Sequence, residues 1–118
     1  MRLKPTNMFD LFGMMDKIGK LKEAVEDVRN QCDRLHLTQR SENGEVEVVC
    51  TANKKIISIT TSPACLRPDR AADLDRMLAA TVDAALREAH RTHKDLFNKS
   101  TEGLIPNIPG LDLSKFLS

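Results

Sequence analysis

The chain of 118 residues has no tryptophan, no tyrosine, only four phenylalanines and only three cysteines. Three cysteines without a CxxC spacing argue against a disulfide framework and favour a reducing compartment. No apolar run approaches the roughly 20 residues of a membrane span, and no apolar signal segment opens the chain. Charged residues make up 30% of the sequence but nearly cancel, leaving a net charge of +1. We therefore expect a single cytoplasmic domain without the global positive charge that draws many DNA-binding modules to phosphate.

The first third of the chain carries a stripe of apolar residues at helical spacing. Its members follow one another in alternating steps of three and four: Leu11, Met14, Ile18, Leu21, Val25, Val28, Cys32 and Leu35. Because a helix turns once per 3.6 residues, this spacing predicts one apolar face on a helix from about Met8 to Leu35. A parallel zipper with a second copy is disfavoured, since Lys17 would then face Lys22. We expect another element of the same fold to cover the stripe.

Three short strands are predicted after this helix. Alternating residues give a first strand up to about Arg40, and Asn43-Gly44 is a strong hairpin signal. A second strand follows, and a third runs from Lys55 to Thr61. The residues expected on the apolar face are Val46, Val48, Cys50 and Ala52, joined by Ile57, Ile59 and Thr61. The pattern predicts a three-stranded antiparallel meander with one apolar face.

A second long helix is predicted in the last part of the chain. Pro68 and Asp69 open it, and an alanine-rich apolar stripe extends it to about Lys99. The predicted fold is therefore α+β, in the order α-β-β-β-α, with the two long helices antiparallel. The start of the first helix would then lie near the end of the second. The apolar tail that follows, residues 100–118, is expected to pack on the body, with docking to a partner as the alternative.

Residues capable of catalysis or metal binding form no recognisable constellation. His90 and His93 are one helical turn apart but lack a third ligand, so we expect solvated side chains. Cys32 and Cys50 occupy apolar positions and are expected in the core, whereas Cys65 lies in a turn and is expected to be the most exposed thiol. There is no phosphate-binding glycine loop and no nucleophile elbow. The sequence predicts no enzymatic activity, no metal and no cofactor.

Basic side chains are the remaining candidates for function. They are Lys17, Lys20 and Lys22 on the first helix, with Arg87, Arg91, Lys94 and Lys99 on the second. If the helices are antiparallel, these two sets converge at one end of the molecule. Acidic residues are interspersed among them, so the alternative is a solvated face of ion pairs within each helix.

The order of elements and several short motifs resemble the YbaB/EbfC family of small bacterial nucleoid-associated proteins. Met8-Phe9 before the amphipathic helix resembles the start of the family, which makes residues 1–7 an extension or a misplaced start. The segment Gly44-Glu45-Val46-Glu47-Val48 matches a Gly-x-Val-x-Val strand, and residues 56–63 resemble the third strand and its turn. Residues 74–85 resemble the last helix, and residues 103–110 the proline- and glycine-punctuated tail of some members. The domain expected from this resemblance spans residues 8–99.

The resemblance implies a dimeric, tweezer-like arrangement, in which two copies join largely through their sheets and the helices project as arms. It also implies binding of double-stranded DNA with little sequence preference, through phosphate contacts made by the seven basic residues above. Such a protein would lie on the nucleoid in the cytoplasm and influence nucleoid organisation and gene expression. We expect no membrane partner and no small-molecule substrate. The alternative is a prefoldin-like chaperone or interaction scaffold, which also sets β-hairpins between two helices.

Overall fold

The computed structural model describes residues 8–104, which form two long helices around a three-stranded sheet. The elements are α1 (Met8–Arg34), β1 (His36–Arg40), β2 (Val46–Thr51), β3 (Ile56–Thr61), two 3-10 turns (Pro63–Cys65 and Pro68–Arg70) and α2 (Ala71–Ser100). The predicted α+β fold in the order α-β-β-β-α is confirmed. The predicted extension 1–7 and residues 105–118 of the predicted tail lie outside the described residues. Within residues 8–104, no helix combines the length and apolarity needed to cross a bilayer.

The sheet is an antiparallel meander in the order β1-β2-β3, held by two tight connections. In the first, Gly44 adopts a φ of +74°, and the Asn43 side-chain oxygen accepts a hydrogen bond from the Glu45 amide at 3.0 Å. The Asn-Gly signal therefore predicted the hairpin correctly, although Arg40 is the last paired residue of β1 and the loop is longer than two residues. In the second connection, Lys54 takes the left-handed conformation, with a φ of +69°.

The main core lies between α2 and one face of the sheet. Val46, Val48 and Cys50 on β2 are fully buried against Ala85 and Ala89 on α2. Alanine carries only a methyl group, so the helix axis approaches the sheet closely, and the Cys50 thiol reaches the Ala85 carbonyl at 3.5 Å. The predicted alternation of β2 is thus confirmed, and it fixes the orientation of α2 over the sheet.

β3 departs from the prediction, because its apolar side chains remain exposed. Ile56, Ile57 and Ile59 are 38–47% accessible to solvent. The helix α2 packs chiefly on β1 and β2, and it borders the edge strand β3 only along a groove between Ile59 and Val82, so within residues 8–104 no further layer lies over β3. A bulge opposite Cys50 also sets Ile56, and not Ile57, in register with that residue.

The helix α1 is buried only toward its C-terminal end. There Val28 and Cys32 form a second core cluster with Ala52, which follows β2, and with Phe97 of α2. The Ala52 amide donates to the carbonyls of Cys32 and Leu35, both at 3.1 Å, and so ties the end of α1 to the sheet. Only Leu35 separates α1 from β1, so the C-terminal end of α1 lies at the sheet and the rest of the helix leads away from it. With its C-terminal part against Phe97, α1 runs antiparallel to α2.

The expectation that another element covers the whole stripe of α1 is wrong for its first half. Leu11, Met14 and Ile18 are 51–58% exposed, and every residue from 11 to 20 is exposed. We call this segment, residues 11–20, the arm. The molecule is 77 Å long, whereas α2 alone accounts for about 45 Å. No other element of the described part of the chain covers the arm, because the arm extends past the end of α2.

The prediction that Cys65 is an exposed thiol is also wrong. Its side chain is fully buried and its sulfur lies 3.0 Å from the Ser62 carbonyl. The Ser62 hydroxyl accepts a hydrogen bond from the Ala64 amide at 3.3 Å, which caps the short turn and directs Cys65 inward.

Candidate nucleic-acid interface

Three of the seven basic residues predicted to contact DNA already have acidic partners on their own helix. The pairs are Lys20 with Asp16 at 3.2 Å, Arg87 with Asp83 at 2.6 Å and Arg91 with Glu88 at 2.6 Å. Glu88 accepts hydrogen bonds from two guanidinium nitrogens of Arg91, and these bonds raise the pKa of Arg91. Exposed pairs of this kind contribute only about 0–1 kcal/mol, so an approaching phosphate can compete for them.

The other four predicted residues form no ion pair within the described part of the chain. Lys17 lies in the arm and Lys22 just after it, while Lys94 and Lys99 lie in the last two turns of α2. All four are exposed. Their charges are therefore the ones most available to a polyanion.

The core cluster that holds Val28 and Cys32 of α1 with Phe97 of α2 sets how the two helices are offset, and thus where the charges lie. At about 1.5 Å per residue, Lys17 lies roughly 16 Å from that contact toward the tip of the arm. Arg87 lies about 15 Å from it in the opposite direction, over the sheet. The structure therefore brings Lys22 and Lys99 near the crossing, and it separates Lys17 from Arg87 by roughly 30 Å along the molecule.

A further group of basic side chains meets at this crossing and was not singled out from the sequence as a DNA contact. Arg29 follows Val28 on α1, Lys54 lies in the β2–β3 turn just after Ala52, and His93 lies one turn before Phe97. Burial lowers the pKa of His93, and the positive charges of Lys54, His90 and Arg29 lower it further. The sequence pattern that could have identified Arg29 is its spacing of seven residues from Lys22, which places both side chains on one flank of α1.

An asparagine fixes this group to the end of α1. The Asn53 amide nitrogen donates to the Arg29 carbonyl at 2.9 Å and also to the carboxylate of Asp33. The β2–β3 turn is thereby held against α1, with Lys54 as its next residue. Asp33 is an acidic group at the border of the cluster, and its carboxylate accepts a hydrogen bond from the Asn53 side chain.

The cysteines do not add a reactive group to this surface. Cys32 and Cys50 are fully buried, and burial raises the pKa of both thiols. The negative charge of Asp33 raises that of Cys32 further. Both therefore act as small core residues, as the sequence predicted.

The sequence profile described as the YbaB/EbfC DNA-binding family matches residues 8–104. Among curated proteins, a nucleoid-associated protein of Rhodopseudomonas palustris is 29% identical over 107 residues, covering 90% of this chain and all of the relative. One from Desulforamulus reducens is 31% identical, covering 83% of this chain and 91% of the relative. One from Flavobacterium johnsoniae is 26% identical, covering 87% of this chain and 95% of the relative.

A solved structure shares the fold. The crystal structure of an uncharacterized protein from Helicobacter pylori superposes with a TM-score of 0.59 at 13% sequence identity. The match covers 67% of this chain and 92% of that protein. At so low an identity, this comparison supports the architecture alone.

Proposed function

The chain belongs to the YbaB/EbfC DNA-binding family, and on that premise we propose that it binds double-stranded DNA as a homodimer with little sequence preference. It acts as a nucleoid-associated protein, like the relatives that carry that name. Its place in the cell is then the cytoplasm, on the nucleoid. By occupying DNA without selecting sites, it influences nucleoid organisation and, through it, gene expression.

The observation that carries this proposal is the set of four lysines without acidic partners among the described residues. Lys22, Lys94 and Lys99 lie around the crossing of α1 and α2, and Lys17 extends the set along the arm. Lysine is a flexible point charge that suits contact with phosphate oxygens, whereas reading base edges favours planar groups held in fixed positions. These residue types support backbone contacts and little discrimination between sequences.

The apolar surface that one copy leaves exposed supports the homodimer. Ile56, Ile57 and Ile59 lie on an edge strand and remain partly exposed among the described residues, and an edge of this kind readily pairs with another chain. The apolar side of the arm is exposed as well. Soluble proteins seldom leave such surfaces uncovered, and a second copy would cover them symmetrically.

A DNA titration across salt concentrations tests the proposal. Two unrelated duplexes of equal length should bind with similar affinity, and the affinity should fall steeply as salt rises. Replacing Lys22 and Lys99 by glutamine removes four cations from a dimer, so the slope of log affinity against log salt should become shallower by roughly 3 to 4. Equal slopes for the variant and the unmodified protein would rule out these lysines as phosphate contacts.

Arg67→Gln is a control for loss of a charge far from the crossing, to be compared with the single variants Lys22→Gln and Lys99→Gln. It removes one cation per copy from the turn before α2, the full length of that helix away from Lys99. The control should leave the salt slope nearly unchanged. The mass of the protein measured in the same buffer tests the dimer, and Ile59→Glu should shift that mass toward the monomer. A monomeric mass for the unmodified protein would contradict the homodimer.

The second candidate is a prefoldin-like chaperone, which the exposed arm favours. Phe12 and Met15 are 58% and 60% exposed and would offer apolar contacts to an unfolded client. Suppression of aggregation of a denatured client, without retention of DNA, would support this function. If the protein retains DNA and leaves aggregation unchanged, the chaperone function is excluded.

A further inference from the structure

The basic group at the crossing of α1 and α2 combines three chain segments in one small region. The buried contact among Val28, Ala52 and Phe97 holds α1, the β2–β3 turn and α2 together. Because Arg29, Lys54 and His93 lie within four residues of these core residues along the chain, the fold brings the three positions into one region, where the charges of Arg29 and Lys54 act on His93. The convergence follows from the core and needs no ligand to form it.

The conformation of Lys54 is a second, independent observation. Its φ of +69° lies in the left-handed region, which glycine adopts freely and which costs a residue with a β-carbon free energy. Non-glycine residues in this region are uncommon and occur mostly in turns and at functional sites. At the tip of this turn, glycine would suit the backbone better, but it would carry no charge.

We propose that Arg29, Lys54 and His93 form a site for a backbone phosphate of DNA, and that His93 takes up a proton when the phosphate binds. The site deepens the proposed function and rests on it, because it names a contact and a regulating condition within the same DNA surface. None of these three residues was among the seven predicted from the sequence. The ligand is a phosphodiester, which these side chains recognise by charge and by hydrogen bonds from nitrogen donors.

The charges around His93 explain why the proton arrives together with the phosphate. Arg29 and Asp33 border the site from α1, Lys54 from the turn, and His90 from α2. In the free protein, burial and the neighbouring cations keep His93 neutral by lowering its pKa. A bound phosphate places negative charge beside His93. This charge favours the protonated imidazole and so raises the pKa of His93. Binding and protonation of the imidazole then favour each other, as linkage requires.

The test is a titration with a duplex of about 30 base pairs at pH 6.0 and pH 8.0 and at constant ionic strength. The unmodified protein should bind at least about threefold more tightly at pH 6.0, and the salt slope there should be steeper by about 1 per site. In His93→Gln, the ratio between the two pH values should fall below about 1.5. His93→Lys keeps the charge at both pH values and should bind tightly at both.

His36→Gln is the matched control. Of the three histidines of the chain, His90 borders the site, whereas His36 lies on β1, outside it. It should keep the full dependence on pH. If the dependence survives in His93→Gln, or is absent from the unmodified protein while DNA still binds, the site is overturned and the proposed function stands. If no DNA binds at either pH, the proposed function fails and the site fails with it.

Lys54→Gly separates a role in binding from a role in folding. Since glycine relieves the left-handed backbone, the thermal midpoint should be unchanged or raised, while the affinity for DNA should fall at least about twofold. A variant that is as stable as the unmodified protein and binds DNA equally well would remove Lys54 from the site.

Discussion

Truncation of Phe97 tests how the structure holds α1 to the rest of the molecule. The ring is 3% exposed and packs on Val28 and Cys32 of α1 and on Ala52. These neighbours come from two separate elements that are themselves tied to the sheet, so they cannot collapse into the space that Phe97→Ala leaves. We expect a loss at the usual level for a buried phenylalanine, about 3–5 kcal/mol. A body of about 100 residues has only about 5–15 kcal/mol of stability in total.

Urea unfolding followed by circular dichroism is the appropriate assay, because the chain has no tryptophan or tyrosine whose fluorescence would report the transition. Phe97→Leu should lose less than Phe97→Ala, since it keeps most of the buried volume. Leu66→Ala truncates an apolar side chain that is 59% exposed and lies outside both the arm and β3, and it should change stability by no more than about 0.5 kcal/mol. A loss below about 1 kcal/mol for Phe97→Ala would refute the assignment of this ring to the joint between the helices.

Three further predictions concern pH and backbone conformation. The pKa of His93 is lowered in the folded protein, so the unfolded chain binds a proton first as the pH falls through the ordinary value of 6.5. The free energy of unfolding should therefore decrease in this pH range, and His93→Gln should flatten the decrease in unfolding experiments without DNA. Hydrogen bonds from Arg70 at 2.7 Å lower the pKa of Glu45. This pair therefore stabilises the fold at pH values above 4.5, the ordinary pKa of a glutamate, and the stabilisation is lost as the pH falls below it. Arg70→Gln should reduce the thermal midpoint at pH 7 and have a much smaller effect at pH 3. Gly44 has a φ of +74° with open space around it, so Gly44→Ala should cost about 1 kcal/mol of unfolding free energy from backbone strain alone.

The elements of the fold could be predicted because periodicity encodes them directly. The alternation of Val46, Val48 and Cys50 predicts a strand with one apolar face, and the structure buries that face. The same reasoning could not show whether another layer covers a face. Ile59 shares the face of its partner Val48 across the sheet, yet it remains 47% exposed because α2 lies chiefly over the other two strands and leaves an open groove beside Ile59. Periodicity indicates which side of an element is apolar, and tertiary packing decides whether that side is buried.

The candidate site was harder to predict, because it depends on the offset between the helices. Two antiparallel helices bring their basic residues together only if they overlap along their length. The contact between Val28 and Phe97 limits that overlap, so the arm extends beyond α2. The cluster of Arg29, Lys54 and His93 draws on three segments separated by 25 and 39 positions in the sequence. No local pattern relates such segments, and only the packing around Ala52 shows that they meet.

The near-zero net charge of the chain is compatible with binding a polyanion, because screening makes the local charge the relevant quantity. At physiological ionic strength, charges separated by more than about 8 Å are largely screened from one another. Asp73 and its ion pair with Arg76 lie 24 residues before Phe97, or about 36 Å along α2, and have almost no effect at the crossing. A phosphate at the crossing experiences the cations of Lys22, Arg29, Lys54, Lys94 and Lys99, and acidic residues of the same segments, among them Glu26, Asp33 and Asp95, oppose them. None of these five cations forms an ion pair among the described residues, so each can turn to a phosphate, and the total of +1 does not measure the attraction at the proposed surface.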